Sequence, residues 1–522
     1  MGQRQFDVAR TRVTLFDALL RARAEHGGKK PILEDHDRKV LTYDDLIRSC
    51  FALAGRLSNK TKPGEAVGVL LPTGVGVTVT FFALQAIGRI PVMLNFTAGA
   101  MNLKAACQAA GVKRILTAKR FVEQGKLEPL MVELANFVTL TYLEDIRTEI
   151  GLGDKLAALA KGAMPGLARA GTHPDAPGVI LFTSGSFGAP KGAVLSHANI
   201  IANVEQIAAH VLFEPHWSFF NPLPMFHCYG LTGGALLPLL IGRKVFLYPS
   251  PLHFKEIPQL IEETGAHVLF ATDTFASQYA RSAKGASLKS LVYCVLGAER
   301  VKDETRALYK RKFDVELLEG YGATEASPVI AVNQPGANQP GSVGKVLPGM
   351  ETRLEDVPGI EDGQKLYVRG PNVMRGYLKA DGSGGIDELS NGWHDTGDVV
   401  AIDEMGFVTI KGRVKRFAKI GGEMVSLNAV ESFAAAVWPT NMHAAVAVPD
   451  ARKGERIVLV TDAAGAETGP LLAWAQANGA PEIAVPKKIV VVEAIPVLGT
   501  GKTDYVSIQR MAEDALRRAE AA

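Results

Sequence analysis

The chain reads as an α/β protein, with a large N-terminal domain of two doubly wound sheets plus a small β-barrel, and a small α+β domain after it. Three observations point there. Apolar runs alternate with helical spacing over most of the chain, the pattern of parallel strands joined by crossover helices. At 522 residues the chain is too long for one hydrophobic core. From about Gly341 to Lys411 the texture changes to short strands and turns, and a basic connector at 411–419 precedes a last hundred or so residues of mixed pattern.

Taken in order, 64–71, 90–95, 112–117 and 137–142 read as strands, with helical spacing at 43–58, 76–88 and 100–110 between them. A second series of strands follows at 178–182, 217–220, 244–247, 267–271, 291–296 and 315–319. The uncharged stretches 66–88 and 221–242 imitate membrane spans. Pro72 interrupts the first, and Pro222, Pro224, Pro238 and His227 interrupt the second, so neither reads as one. Residues 155–170 are basic and partly amphipathic. They fit an anionic membrane surface, or a solvated connection if Gly162 and Pro165 break the helix.

Composition narrows the class. Hydrophobic residues make up 47% and charged residues 21%, which is globular. A net charge of +3 without aromatic-basic interleaving argues against nucleic acid. Cys50, Cys107, Cys228 and Cys294 are scattered, with no CxxC, as in a reducing cytoplasm. The start of the chain shows no signal peptide, and Phe6 stands where N-myristoylation wants Ser or Thr.

Residues 183–192, Thr-Ser-Gly-Ser-Phe-Gly-Ala-Pro-Lys-Gly, carry the clearest chemical signal. They lie between an apolar strand and a helical pattern starting at Ser196. Gly185 and Gly188 free backbone N–H groups to turn toward an anion, Thr183, Ser184 and Ser186 add hydroxyl donors, and Lys191 adds charge. The spacing is not that of a Walker A loop. An ordinary polar turn is the alternative.

Four further motifs follow in order: Tyr321-Gly-Ala-Thr-Glu325, Gly392-Trp-His-Asp-Thr-Gly-Asp398, Gly412-Arg413, and Gly499-Thr-Gly-Lys502. With them the chain resembles the adenylate-forming superfamily of acyl-CoA synthetases, luciferases and nonribosomal peptide adenylation domains over essentially its whole length. The resemblance implies ATP and Mg²⁺, an acyl-adenylate intermediate and a thiol acceptor. It implies that Thr183, Ser184, Gly185, Ser186, Gly188 and Lys191 follow the β- and γ-phosphates. Thr324 would meet the α-phosphate and Glu325 the metal. Tyr321, within Gly320-Tyr321-Gly322-Ala323, would stack on adenine beside the Gly297-Ala298-Glu299 turn. Asp398 would hold the ribose with help from Arg413, and Lys502 would be the adenylation lysine. His227, Thr272 and Gly297 would border the acyl pocket, and Gly421 and Gly422 the pantetheine tunnel. Domains are expected at 1–411 and 416–522, with a hinge at 412–415 about Lys415 that makes the second domain mobile. Taken singly, Glu325 could be a helix-start acid, Asp398 a turn residue, Lys502 an exposed lysine and His227 a core histidine.

Some stretches resemble one branch more closely. Asn203-Val-Glu-Gln-Ile207, Val245-Phe-Leu-Tyr-Pro-Ser-Pro-Leu-His253, Gln278-Tyr-Ala-Arg281, Leu318-Glu-Gly-Tyr-Gly322 and 416–427 are similar to the synthetase half of the bacterial bifunctional Aas protein. That resemblance implies transfer of a long-chain fatty acid to acyl carrier protein by a stand-alone synthetase, cytoplasmic or peripheral at the inner membrane face. The acidic carrier protein would be steered by Lys411, Arg413, Lys415, Arg416 and Lys419. A long-chain acyl-CoA synthetase is the alternative, and a non-catalytic acyl-binding protein on the same fold is a second.

Overall fold

The apolar runs of the N-terminal half become the strands of two sheets with helices packed against them. The computed structural model describes residues 5–521 apart from 184–189, 380, 382–383, 421–422, 451–453, 479 and 499–501. The chain divides into two units. One runs through Glu351 and takes in Arg369–His394; the other comprises Thr352–Val368 and the chain from Asp395 onward.

In the first unit, one sheet has the order Ile386–Glu388, Gly376–Leu378, Lys191–Ser196, Pro177–Thr183, Ile90–Met93, Ala66–Val69, Arg114–Thr117, Thr139–Tyr142. Its strands are parallel from Pro177–Thr183 to Thr139–Tyr142 and antiparallel beyond. The second sheet runs Lys345–Val346, Val329–Val332, Glu316–Gly322, Tyr293–Leu296, Val268–Ala271, Phe219–Asn221, Val245–Leu247, Pro31–Asp35, Leu41–Thr42. Sheet membership differs from the expected series. Pro177–Thr183 pairs with Ile90–Met93 in the first sheet, and Pro31–Asp35, unread in the sequence, pairs with Val245–Leu247 in the second. Periodicity identifies a strand but not its neighbour, because pairing is non-local.

Local signals account for the helices. Tyr43–Ser58 opens on a capping box in which the Thr42 hydroxyl accepts from the Asp45 N–H and the Asp45 carboxylate accepts from the Thr42 N–H. It buries Leu46, Ile47, Cys50, Leu53, Ala54 and Leu57, one face at helical spacing, each large apolar side chain contributing about 1.5–3 kcal/mol. Both apparent spans resolve into shorter elements. The first is the strand Ala66–Val69 followed by the buried helix Val75–Ala86. In the second, a wide π-turn at Tyr229–Leu236 leads into Leu237–Leu240. Among the described residues, no helix is long and apolar enough to cross a membrane. All four cysteines are buried and free, and burial pushes the Cys107 and Cys228 thiols up to about 12, which keeps them unreactive.

Of the short strands read at 341–411, Lys345–Val346, Gly376–Leu378 and Ile386–Glu388 join the two large sheets, and four others form a separate sheet in the second unit, ordered Glu351–Val357, Ile360–Arg369, His394–Ile402, Val408–Arg413. A further sheet holds Glu423–Ser426, Phe417–Ile420, Gly454–Thr461 and His443–Asp450, with Lys488–Val491 parallel to Gly454–Thr461. Alternation decides its two faces. Ala445, Ile457 and Leu459 pack with Leu471 and Ala475, while Val446, Val458 and Val460 pack with Ile508, Ala512 and Leu516 of the helix Tyr505–Ala521.

Arg416 is part of this unit's interior. Its guanidinium donates to Glu431 Oε1 at 2.6 Å and to the Ala445 carbonyl at 2.7 Å, and stacks 3.8 Å from the Tyr505 ring centroid. Burial pushes the Glu431 carboxyl up, and Arg416 opposes that rise. Arg416→Ala should destabilise the protein by about 3–5 kcal/mol at neutral pH by stranding the Glu431 charge. The folded-state pKa of Glu431 then rises further above its unfolded value. Urea midpoints should therefore recover toward the parent as pH falls and Glu431 takes a proton. A deficit independent of pH would contradict this account.

Candidate active site

The site-bearing segments leave the second sheet at the carboxyl ends of adjacent parallel strands, where open α/β sheets bind ligands. Asn221 ends Phe219–Asn221, Thr272 follows Val268–Ala271, Gly297 follows Tyr293–Leu296, and Tyr321 and Gly322 close Glu316–Gly322. The turn carrying Thr324 and Glu325 lies between Glu316–Gly322 and its antiparallel neighbour Val329–Val332. Gly322 is required there, because a Cβ would stand 2.2 Å from the Pro328 carbonyl oxygen.

Buried amides brace that turn. Asn372 Nδ2 donates to the Ala326 carbonyl at 2.8 Å, and the Ser327 hydroxyl donates to the Asn372 carbonyl at 2.8 Å. Asn203 holds Val329 by both its N–H and its C=O. Ser327 has a left-handed φ of 70°. The Thr324 hydroxyl has no hydrogen-bond partner among the described residues, which leaves it available to a ligand.

Lys191 is not at a helix start. After the loop the chain forms the strand Lys191–Ser196, pairing antiparallel with Pro177–Thr183, so that Thr183 faces Lys191 across a hairpin. The helix His197–His210 begins only after that strand, and its N-terminus is satisfied by the Ser196 and Asn199 capping box. The helix expected from Ser196 is present, and the strand Lys191–Ser196, unread in the sequence, comes before it. Ser184, Gly185, Ser186 and Gly188 lie outside the described residues, as do Gly421 and Gly422.

Tyr377 links two of the expected site residues, and the sequence reading missed it. Its strand, Gly376–Leu378, pairs with Lys191–Ser196. Lys191 Nζ lies 5.2 Å from the Tyr377 ring centroid, within cation–π range, and the Tyr377 hydroxyl donates to Glu325 Oε1 at 2.5 Å. Glu325 Oε2 keeps no hydrogen-bond partner among the described residues. An open carboxylate oxygen is the hard donor that Mg²⁺ takes alongside phosphate, so Glu325 fits that ion. The one three-member group of possible metal ligands among the described residues, Asp35, His36 and Asp37, lies elsewhere.

The residues expected at the acyl pocket and the Gly297-Ala298-Glu299 turn differ in their local structure. Thr272 is the N-cap of the helix Asp273–Ser282, accepting from the Phe275 N–H at 3.4 Å, and is buried. Glu299 also serves that helix, its Oε2 accepting from the Thr274 N–H at 2.9 Å, and burial pushes its carboxyl up. Ala298 has a φ of 71°, turning the chain between Gly297 and Glu299. His227 Nδ1 accepts from the Tyr229 N–H at 3.3 Å, ahead of the π-turn, a geometry often found at functional sites. Tyr229 stands against Gly297, where a Cβ would meet its ring at 3.3 Å, and its hydroxyl donates to the Val295 carbonyl. His227, Tyr229 and Gly297 thus form one wall that spacing alone could not assemble.

In the second unit Asp398 and Arg413 are direct cross-strand partners, and Arg413 Nε donates to Asp398 Oδ1 at 2.8 Å. Asp398 is buried while Arg413 is largely exposed. Beside Lys502, Val497 bridges Thr503, and the Leu498 N–H donates to the Lys502 carbonyl.

The family described as AMP-binding enzyme matches residues 20–378. The chain belongs to that family. It is 27% identical over 461 residues, 80% of each chain, to the long-chain-fatty-acid--CoA ligase of Escherichia coli O157:H7. It is also 27% identical over 504 residues, 89% of each, to that of Bacillus subtilis strain 168. The feruloyl-CoA synthase of Amycolatopsis is 28% identical over 480 residues, covering 90% of this chain and 93% of that one. Solved structures share the fold. The anthranilate CoA ligase AuaEII with anthranoyl-AMP superposes with a TM-score of 0.82 at 19% identity, covering 98% of this chain and all of that one. ATP-bound MatB from Rhodopseudomonas palustris gives 0.81 at 23%, covering 96% and 100%. Family membership agrees with the adenylate-forming resemblance and with the two-sheet domain followed by a smaller one.

Asn372→Ala should lower stability by about 1–3 kcal/mol, since it leaves the Ala326 carbonyl without its buried donor. It should also weaken AMP binding through the Thr324 turn. Thermal unfolding and nucleotide titration would check both, and unchanged AMP affinity would mean the turn does not depend on this brace.

Proposed function

We propose that the chain activates a long-chain fatty acid with ATP and passes the acyl group to a pantetheine thiol. The observation that carries this reading is the contact chain Lys191–Tyr377–Glu325 at the strand ends of an AMP-binding fold. A carboxylate oxygen attacks the α-phosphorus, the bond to the β-phosphate bridging oxygen breaks, and pyrophosphate leaves. A thiol sulfur then attacks the acyl carbon, the mixed-anhydride C–O bond breaks, and AMP leaves.

Each residue has a task in that chemistry. Lys191 and the Thr183 hydroxyl would hold the phosphate tail, and Thr324 would donate to the α-phosphate. Tyr321, flanked by Gly320, Gly322 and Ala323, would stack on adenine beside Gly297 and Ala298. Asp398, already aimed by Arg413, would accept from the ribose hydroxyls. Lys502 would neutralise the two anions that must meet, and Lys415 would be the hinge about which its domain turns. Glu325 would hold Mg²⁺, which when bound offsets phosphate charge. The wall of His227, Tyr229 and Gly297 would meet the acyl chain, whereas Thr272 and Glu299 support it through a helix N-terminus.

Coenzyme A is the acceptor that the long-chain-fatty-acid--CoA ligase relatives favour. Acyl carrier protein is a second reading, supported by the stretches similar to the Aas synthetase half. Within the basic connector, Lys411 pairs with Asp362, Arg413 with Asp398 and Arg416 with Glu431. Lys415 and Lys419 are exposed and make no ion pair among the described residues, so they would steer an acidic carrier. A fatty acid partitions into bilayers, which makes a peripheral position at the inner membrane face part of the same proposal.

Lys502→Ala should reduce fatty-acid-dependent pyrophosphate release by about 100- to 1,000-fold while leaving AMP binding near the parent value. Absence of fatty-acid-dependent pyrophosphate release by the parent protein would revive the non-catalytic acyl-binding alternative. Offering CoA or carrier protein to preformed acyl-adenylate decides the acceptor. If carrier protein is used, Lys419→Glu, which leaves the hinge residue intact, should slow transfer in a salt-sensitive way and spare adenylation. Equal loss in both half-reactions would exclude a steering role.

A further inference from the structure

The helix Leu152–Ala163 and the turn of helix Pro165–Ala168 hold Leu152, Leu156, Leu159, Met164 and Leu167 at 49–85% exposure. Leu152, Leu156 and Leu159 share one face at helical spacing. The opposite face is fastened to the first unit. Ala158 is buried, Asp154 pairs with Arg56, and Gly162 lies so near Arg48 that a Cβ would meet its Cγ at 2.9 Å. Gly162 therefore sits inside the helix as a packing residue, and the break falls at Met164 instead. The leucines point outward because the helix is clamped from behind.

Two lysines of the same helix are near this face, Lys155 beside the leucines and Lys161 toward the other side of the helix. Lys155 and Lys161 are exposed and make no ion pair among the described residues. Lys39, Val40 at 44% exposure, and Leu159 line an adjoining depression with Arg48, Ser49 and the Asp45 that Arg48 pairs with. Exposed leucines flanked by lysines suit the boundary between acyl chains and anionic headgroups, where the apolar side chains enter and the ammonium groups meet phosphate. A second copy fits less well, since a two-fold contact would bring two basic copies of this face together, whereas an anionic bilayer offers the opposite charge. Side chains this exposed stand proud of the surface, as insertion between lipids requires.

We infer that this face docks the protein on an anionic lipid bilayer. The inference extends the fatty-acid reading by giving the enzyme access to a membrane-borne substrate. Its test needs no catalysis. The full chain should co-sediment with phosphatidylcholine vesicles containing phosphatidylglycerol, and remain largely in the supernatant with phosphatidylcholine alone. Leu156→Ser with Leu159→Ser, and separately Lys155→Glu with Lys161→Glu, should each weaken partitioning about 10-fold or more. Raising salt should weaken the parent and leave the lysine variant little changed. Thermal midpoints close to the parent would show that the variants fold; if the leucine variant does not, the lysine variant, which keeps every apolar side chain, carries the test.

Failure of the parent to bind anionic vesicles, or parental binding by the folded variants, overturns the inference. A solution dimer that the leucine variant dissociates, without vesicle binding, overturns it in favour of a second copy as occupant. Vesicle binding without fatty-acid-dependent pyrophosphate release would overturn the substrate reading and leave the docking face standing.

Discussion

The strand Lys191–Ser196 is held on both edges, by Pro177–Thr183 and by Gly376–Leu378, and the site depends on that double pairing. It brings Tyr377 opposite Ala193 and so sets the tyrosine ring near Lys191 and its hydroxyl on Glu325. Side chains alternate along a strand, so a one-residue slip would turn Tyr377 to the other face and separate the three. Glycines lock the register. A Cβ on Gly192 would meet Leu378 Cδ1 at 2.7 Å, and one on Gly376 would stand 2.0 Å from the Asp387 carbonyl oxygen. The glycine after Lys191 is thus explained by packing as much as by any ligand.

A second level of support is polar and buried. Asn203, Gln206 and Asn372 reach backbone carbonyls at Val329, Pro348 and Ala326, around the segment that presents Thr324 and Glu325. Such amides contribute about 1 kcal/mol each as net hydrogen bonds, but leaving one partner unsatisfied costs more. Their larger effect is to hold an irregular turn in one conformation, so that its open hydroxyl and carboxylate oxygens stay available to a ligand.

Charged residues show how availability differs from composition. Lys411, Arg413 and Arg416 look like members of one basic surface run, yet each has an acidic partner within its own unit. Arg416 is mostly buried beside Glu431 and Tyr505, where it neutralises a charge that burial disfavours. Lys415 and Lys419 keep their charge for solvent or a partner. The leucines of Leu152–Ala163 make the converse case: apolar residues that composition would assign to a core stay outside because the helix is clamped by its other face.

The sequence by itself determined the secondary elements and the chemical inventory. Periodicity placed the helix Tyr43–Ser58 and most strands to within a few residues, because amphipathic burial is written locally. Ordered motifs likewise carried the family, which the match over residues 20–378 shows. Only the tertiary structure decided that Pro177–Thr183 joins the first sheet and Pro31–Asp35 the second, that Lys191 begins a strand, and that Tyr377 bridges Lys191 and Glu325. It also showed that Thr272 and Glu299 accept from backbone N–H groups at the start of one helix. Strand pairing and side-chain partnership join residues far apart in the chain, and a pattern that repeats every two or 3.6 residues holds no record of which distant segment will satisfy it.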